Sequence, residues 1–343
     1  MRPPEKILII RPSALGDVCR SVPVLVTLKR AFPEAQIDWL VQDSFRDAIA
    51  AHPDLSDAVP FDRRGMGRAS RRGNLGPTWR LAGDLRRAGY HLVIDAQGLF
   101  RSGFFAGATG AERRIGYRNA RELGWIFCNE RHLVDRSMHS VDRMLALLEH
   151  AGLEPVDQMR LYTPTKGRDW VAEHHPELNE GGYVVLAPTS RWVAKQWPDA
   201  RFAELCDALL QRGVARVALV GGPGEAAQCP ALCALGEQDD RVVNLIGRTG
   251  IGALMALIER CDLLVANDSA ALHMGVGFDR RIVALYGPTR VDLVGPYRRE
   301  ADVIQHVAPG DPMNHKIDAN RTLMERIGVA EVLDACVRRL GVK

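Results

Sequence analysis

The sequence predicts an α/β protein of two halves, each built on a parallel sheet with helices on both faces. Three observations predict it. Short β-branched runs alternate with amphipathic helical stretches along the chain, several of those runs are unbroken apolar stretches, and key runs end in turns rich in small residues. A parallel strand covered on both faces reads as a continuous apolar run, as Lys6-Ile-Leu-Ile-Ile10 and Val217-Ala-Leu-Val220 do. A length of 343 residues suits two domains and a large core without covalent staples.

In the first half the strands are placed at 6–10, 36–41 and 91–95, with helices over 18–31, 80–88 and 144–150. In the second half they fall at 183–187, 217–220, 242–244, 263–266 and 282–286, with helices over 202–212 and 251–260. Pro155, Pro164, Pro176 and the Gly181-Gly182 pair mark the linker region. The division is put at 165/166, with the last helix free to pack back on the first half. Open sheets of this kind bind ligands outside the carboxyl ends of their strands, so the site is expected in a crevice shared by the halves.

Composition is that of an ordinary soluble domain, 46% hydrophobic and 25% charged. The seven cysteines form no CxxC pair, which points to reduced thiols and away from zinc. Lys6–Ile10 is too short for a signal segment or a membrane span, and no apolar run approaches the ~20 residues a span needs. Net charge is +3, with the basic excess in the first half. Eight arginines fall between Arg63 and Arg87, with Asp84 the one acid among them. They read either as a solvated basic loop and helix or as a site for an anionic partner. No aromatics interleave with them and no nucleic-acid-binding motif appears, so nucleic acid is not expected as a partner.

Arg11-Pro-Ser13-Ala-Leu-Gly-Asp17 follows the first strand and opens a helix. Asp17 is there either a helix cap or a base accepting a proton from a bound hydroxyl. Leu263–His273 places Asn267-Asp268-Ser269 between a strand and a helix, where backbone N–H groups suit a diphosphate. Asp268 would repel phosphate, so it either caps the helix or accepts a sugar hydroxyl. Thr189 and Ser190 offer hydroxyls just after a strand, and Lys195 a mobile positive charge. The glycines of Val217–Glu225 lack the spacing of a dinucleotide fingerprint, and the P-loop, HExxH and GxSxG motifs are absent.

Taken as one ordered set, these segments resemble glycosyltransferase family 9, the ADP-heptose:lipopolysaccharide heptosyltransferases. The set comprises the Arg11–Asp17 turn, Thr189-Ser190 with Lys195-x-Trp197-Pro198, and Gly221-Gly222-x-x-Glu225. It continues through Leu245-Ile-Gly-Arg-Thr249, Asn267-Asp268-Ser269 with His273, and Tyr286-Gly-Pro-Thr289 with Gly295-Pro296. The first half is most similar to the heptosyltransferase I branch, through Val93–Leu99 with Arg101-Ser102, Arg63-Arg64, Arg118–Glu122 and His139-x-x-x-Arg143. The chain departs from the family pattern at Ala270, where many members carry glycine, and in its arginine-rich 68–73 stretch.

The resemblance implies a GT-B architecture of two Rossmann-like domains facing a central cleft, with residues 1–165 binding the acceptor and 166–343 the sugar nucleotide. It implies inverting, metal-independent transfer of heptose from ADP-L-glycero-D-manno-heptose to a Kdo residue of the lipopolysaccharide inner core, with no bound cofactor. Asp17 is then the catalytic base. Thr189, Ser190, Lys195, Glu225, Thr249, Asp268, Ser269, Ala270 and His273 bind the donor. Arg11, Ser13, Arg63, Arg64, Gln97 and Arg121 bind an anionic Kdo-lipid A type acceptor. The implied location is cytoplasmic, with peripheral, electrostatic contact at the inner membrane. No oligomeric state is implied. Two other readings stand beside this one: a transferase of the same fold using another nucleotide sugar or surface-glycan acceptor, and a catalytically silent member acting as a binding module.

Overall fold

The computed structural model describes residues 3–179 and 181–341. The chain separates into two compact units, residues 1–162 and 163–343. The division falls inside the proline- and glycine-marked linker, three residues before the position expected.

The first unit runs β1 (Lys6–Ile10), α1 (Leu15–Arg20), α2 (Val22–Ala31), β2 (Gln36–Gln42), β3 (Asp57–Phe61), α3 (Arg63–Arg71) and α4 (Gly76–Arg87). It continues with β4 (Leu92–Asp95), α5 (Phe100–Thr109), β5 (Arg113–Tyr117), β6 (Glu130–His132) and α6 (Ser140–His150). Its six strands are all parallel in the order β3-β2-β1-β4-β5-β6. The order reverses between β1 and β4, so the loops leaving these two strands flank the point where such sheets bind ligands. Leu8 and Ile10 pack with Leu40, Val93, Phe61, Phe105, Leu81 and Leu85 in one buried layer.

The long helix expected over 18–31 is two helices broken at Ser21. Pro23 is the cause: it has no N–H to continue the ladder and its ring crowds the preceding turn. α5 approaches the 124–127 turn so closely that a Cβ on Gly103 would lie 2.3 Å from the Gly124 carbonyl oxygen. Gly103→Ala is therefore expected to cost ~1–3 kcal/mol, read as a melting temperature lower by about 2–4 °C per kcal/mol. An unchanged melting temperature would show that the turn yields freely.

The second unit runs α7 (Thr165–His174), β7 (Tyr183–Ala187), α8 (Asp199–Gln211), β8 (Arg216–Leu219), α9 (Pro230–Gln238), β9 (Val242–Asn244) and α10 (Ile251–Arg260). β10 (Leu263–Asn267), α11 (Ala270–Gly277), β11 (Ile282–Tyr286), α12 (Val291–Val294), β12 (Val303–Gln305) and α13 (Val329–Leu340) complete it. The sheet order β12-β11-β10-β7-β8-β9 repeats the topology of the first unit, with the reversal between β7 and β10. β7, β10 and β11 are buried at every position, as helix-covered parallel strands must be. The last helix, α13, is seated in this unit's own core through Val332, Ala335 and Cys336.

Six of the seven cysteines are buried and none forms a disulfide. Burial pushes the thiols of Cys19, Cys128, Cys206, Cys229, Cys261 and Cys336 up to about 12. Among the described residues no helix is long and apolar enough to cross a membrane. No group of three or more His, Cys, Asp or Glu side chains gathers there in a way that would hold a metal.

Candidate active site

The chemistry of the first unit sits on the loops after its two central strands. Asp17 is the third residue of α1, and its Oδ2 accepts the Ala14 N–H at 3.1 Å, so it does cap the helix. Its other oxygen has a different task. Oδ1 lies 2.5 Å from Arg20 Nη2 and 3.3 Å from Arg11 Nη2. Burial alone would raise the Asp17 pKa, but the two guanidiniums and the Ala14 N–H hold the carboxyl well below the usual carboxylate range. The side chain remains 27% exposed, so a ligand can reach it.

Arg11 joins the two central loops. It donates from Nη1 to the Ala96 carbonyl at 2.7 Å, just past the end of β4. There Asp95 accepts the N–H groups of Gln97 and Gly98 and the Ser102 hydroxyl, fixing the start of α5. Burial pushes Asp95 up to about 6, against those donors and Arg11, which pull it down. Gln97 leaves its buried Oε1 without a protein partner, and Arg121 is tied in through its N–H to the Gly98 carbonyl at 3.0 Å. Arg143, from α6, stacks 4.2 Å over the Tyr117 ring; burial, together with Arg136, Arg11 and Arg121, lowers its pKa. Ser13 is half-buried in the β1–α1 turn. Arg63 and Arg64 stand apart, exposed at the start of α3 on the same sheet edge but two strands away from β1.

The second unit repeats this placement at β7 and β10. Lys195, on a short 3₁₀ turn over Val193–Lys195, puts Nζ 2.5 Å from Asp268 Oδ2, and both side chains are largely buried. Asp268 thus neither caps α11 nor stands alone; Ser269 takes the cap position and Ala270 begins the helix. Asn267 holds the loops together, donating to the Pro188 carbonyl and accepting the Trp197 N–H. The Ser190 hydroxyl donates to the Asp268 carbonyl at 3.3 Å, and Thr189 is buried beside Gly221, where a Cβ would meet its Oγ1 at 2.8 Å. Glu225 folds back to accept the Gly222 N–H at 2.7 Å, and Thr249 is half-buried ahead of α10. His273 is buried within α11. The hydroxyls of Ser269 and Thr289 are buried without a protein hydrogen-bond partner, at the ends of the two adjacent strands β10 and β11. Buried hydroxyls left this way are suited to a bound polar ligand.

The structure adds residues that the sequence reading passed over. Arg20 carries an i,i+3 signal from Asp17, and Asp95 stands two residues before the N–H it accepts, so both were readable in principle. Gln196 and Gln228, which brace the Ser190 backbone, are brought together only by the fold. So is His315, whose ring lies 5.9 Å from Trp192; burial and Lys195 lower its pKa.

The chain is similar to known lipopolysaccharide heptosyltransferases. The lipopolysaccharide heptosyltransferase 1 of Pseudomonas aeruginosa is 28% identical over 302 residues, covering 86% of this chain and 82% of that protein. The lipopolysaccharide heptosyltransferase 2 of Salmonella typhimurium is 27% identical, covering 88% of each. The solved structure of the E. coli ADP-heptose lipopolysaccharide heptosyltransferase II superposes with a TM-score of 0.79 at 26% identity, covering 98% of both chains. Heptosyltransferases of types 1, 2 and 3 are all among its relatives, at 28%, 27% and 26% identity. The profile of glycosyltransferase family 9 (heptosyltransferase) matches residues 78–323. This chain, two Rossmann-like α/β units of GT-B type, belongs to that family of glycosyltransferases.

Proposed function

We propose that the protein transfers heptose from ADP-L-glycero-D-manno-heptose to a Kdo residue of the lipopolysaccharide inner core, with inversion and without a metal. The observation that carries this reading is the ionised, partly exposed Asp17 at the point where the sheet order reverses. The acceptor hydroxyl attacks C1 of the heptose and gives its proton to the Asp17 carboxylate as the new bond forms. The bond from C1 to the diphosphate breaks, and ADP leaves with the electron pair. Lys195 and the N–H groups at the start of α11 meet the charge that develops on the leaving diphosphate. Thr189, Ser190 and Ser269 supply hydroxyls to it. Glu225, Thr249, Asp268, Ala270 and His273 line the donor side, with the two carboxylates accepting ribose and heptose hydroxyls. Arg11, Ser13, Gln97 and Arg121, joined by Arg63 and Arg64, serve the acidic acceptor. Residues 1–162 are thus the acceptor half and 163–343 the donor half.

The test is incubation with ADP-heptose and a Kdo-bearing lipid A acceptor, followed by mass analysis and assignment of the new anomeric centre. One added heptose of inverted configuration, formed equally with a chelator present, is expected. Turnover with a different nucleotide sugar and none with ADP-heptose would assign the scaffold to another donor. Nucleotide binding without turnover on any acceptor would assign it to a binding role.

A further inference from the structure

Between β12 and α13 the chain returns to the donor loops. A 3₁₀ segment over Asp318–Arg326 packs against the short turn Val193–Lys195. Met324 of that segment is fully buried, and a Cβ on Gly287 would meet its side chain at 2.8 Å. Near the start of the segment Asn320 is buried and donates from Nδ2 to the Asn314 carbonyl at 2.7 Å. This bond fixes the backbone next to His315 and presents that residue to the Lys195 turn. The His315 ring lies 5.9 Å from that of Trp192, and the Trp192 carbonyl accepts the Lys195 N–H at 2.9 Å.

The charged groups around the ring come from three places. Lys195 stands on the 3₁₀ turn, Asp268 on the loop after β10, and Lys316 on the segment of His315 itself. Arg191 lies over the Trp192 ring at 5.2 Å. Lys195 and Asp268 already oppose one another at 2.5 Å. Burial and Lys195 lower the His315 pKa below its ordinary value; Asp268 opposes them and Lys316 adds to them. No hydrogen bond is among the influences on the ring, so its nitrogens are left for a ligand. A diphosphate brought against Lys195 adds negative charge to this cluster, and a nearby opposite charge favours the charged form of an imidazole.

We infer that His315 is a proton-linked ligand of the donor's diphosphate, neutral in the free protein and protonated from water as the donor binds, so that it meets the phosphate oxygens as a second cation beside Lys195. The inference rests on the proposed reading of this unit as the donor half. Two bare cations side by side would repel in the free protein, so the second is charged only with its anion in place. The same charge is then present when the bond from C1 breaks and the diphosphate takes the electron pair. Because the bound ring holds its proton more tightly than the free one, affinity gains as pH falls through the bound-state pKa and levels off below the free-state one.

The test is isothermal titration calorimetry of the full chain with ADP-heptose from about pH 5.5 to about pH 8.5, in buffers of different ionisation enthalpy. The diphosphate of this donor is a diester and carries no proton of its own in that range. Proton uptake near neutral pH is expected, with affinity rising by roughly tenfold or more towards the acidic end. His315→Gln should match the parent at the alkaline end, lose the gain at the acidic end and take up no proton. His315→Lys, charged throughout, should bind tightly at every pH and also take up none. His273, on α11, is the other histidine of the donor side, and the variants at 315 separate its titration from that of His315. Affinity that is flat with pH in the parent, or proton uptake that persists in His315→Gln, would overturn the inference and leave the transfer reaction standing. Turnover with another nucleotide sugar and none with ADP-heptose would remove the heptose reading alone, and the same titration with that donor would then decide on His315 by the same two criteria.

Discussion

Asp17→Asn should lower turnover by roughly 10²–10⁴-fold while leaving ADP affinity unchanged, because it removes the proton acceptor and little of the shape. The substituted amide can still accept the Ala14 N–H, so the start of α1 should survive. The pH profile separates a base from a mere cap. With its carboxyl held below the usual carboxylate range, Asp17 is ionised throughout the neutral region, and any acidic limb due to it lies below about pH 4. Arg20→Gln should move that limb upward, since it removes the nearer guanidinium. The sign for stability is the same. A depressed folded pKa contributes stability that is present above the unfolded value of about 4 and is lost as pH falls towards the folded one. Near-parental turnover by Asp17→Asn under saturating substrates would end the assignment.

Lys195→Met should be nearly as damaging, for two separable reasons. It removes the cation proposed to meet the leaving diphosphate, with a loss on the order of 10²–10³ in turnover. It also leaves Asp268 buried without its partner, and breaking a buried pair costs ~3–5 kcal/mol. The double variant Lys195→Met/Asp268→Asn distinguishes the two. It should recover much of the melting temperature and none of the turnover. Recovery of both would make the pair a structural device only.

The central strands were legible because burial on both faces leaves only one kind of sequence. β1, β7 and β11 match their predicted bounds for that reason; β9, a three-residue edge strand, matches without it. β3, β5, β6 and β12 were not read as strands. β3 contains Pro60, β5 opens on Arg113-Arg114, and β6 and β12 are three-residue edge strands with polar ends. Such strands are held by their neighbours and carry little pattern of their own. The same division runs through the site. Asp17, Thr189, Ser190, Lys195 and Asp268 announce themselves by standing on turns after apolar runs. That Lys195 meets Asp268, and that Arg143 comes to lie near Arg11 and Arg121, depends on strand order, which no local spacing encodes.

The buried thiols turn the molecule into its own unfolding reporter. A thiol with a pKa near 12 forms almost no thiolate at neutral pH, so alkylation must wait until the surrounding structure opens. Cys19 and Cys128 lie in the first unit, and Cys206, Cys229, Cys261 and Cys336 in the second. Labelling rates at these positions would give a separate opening free energy for each unit, and the shift of either set on adding a nucleotide would name the unit that binds it.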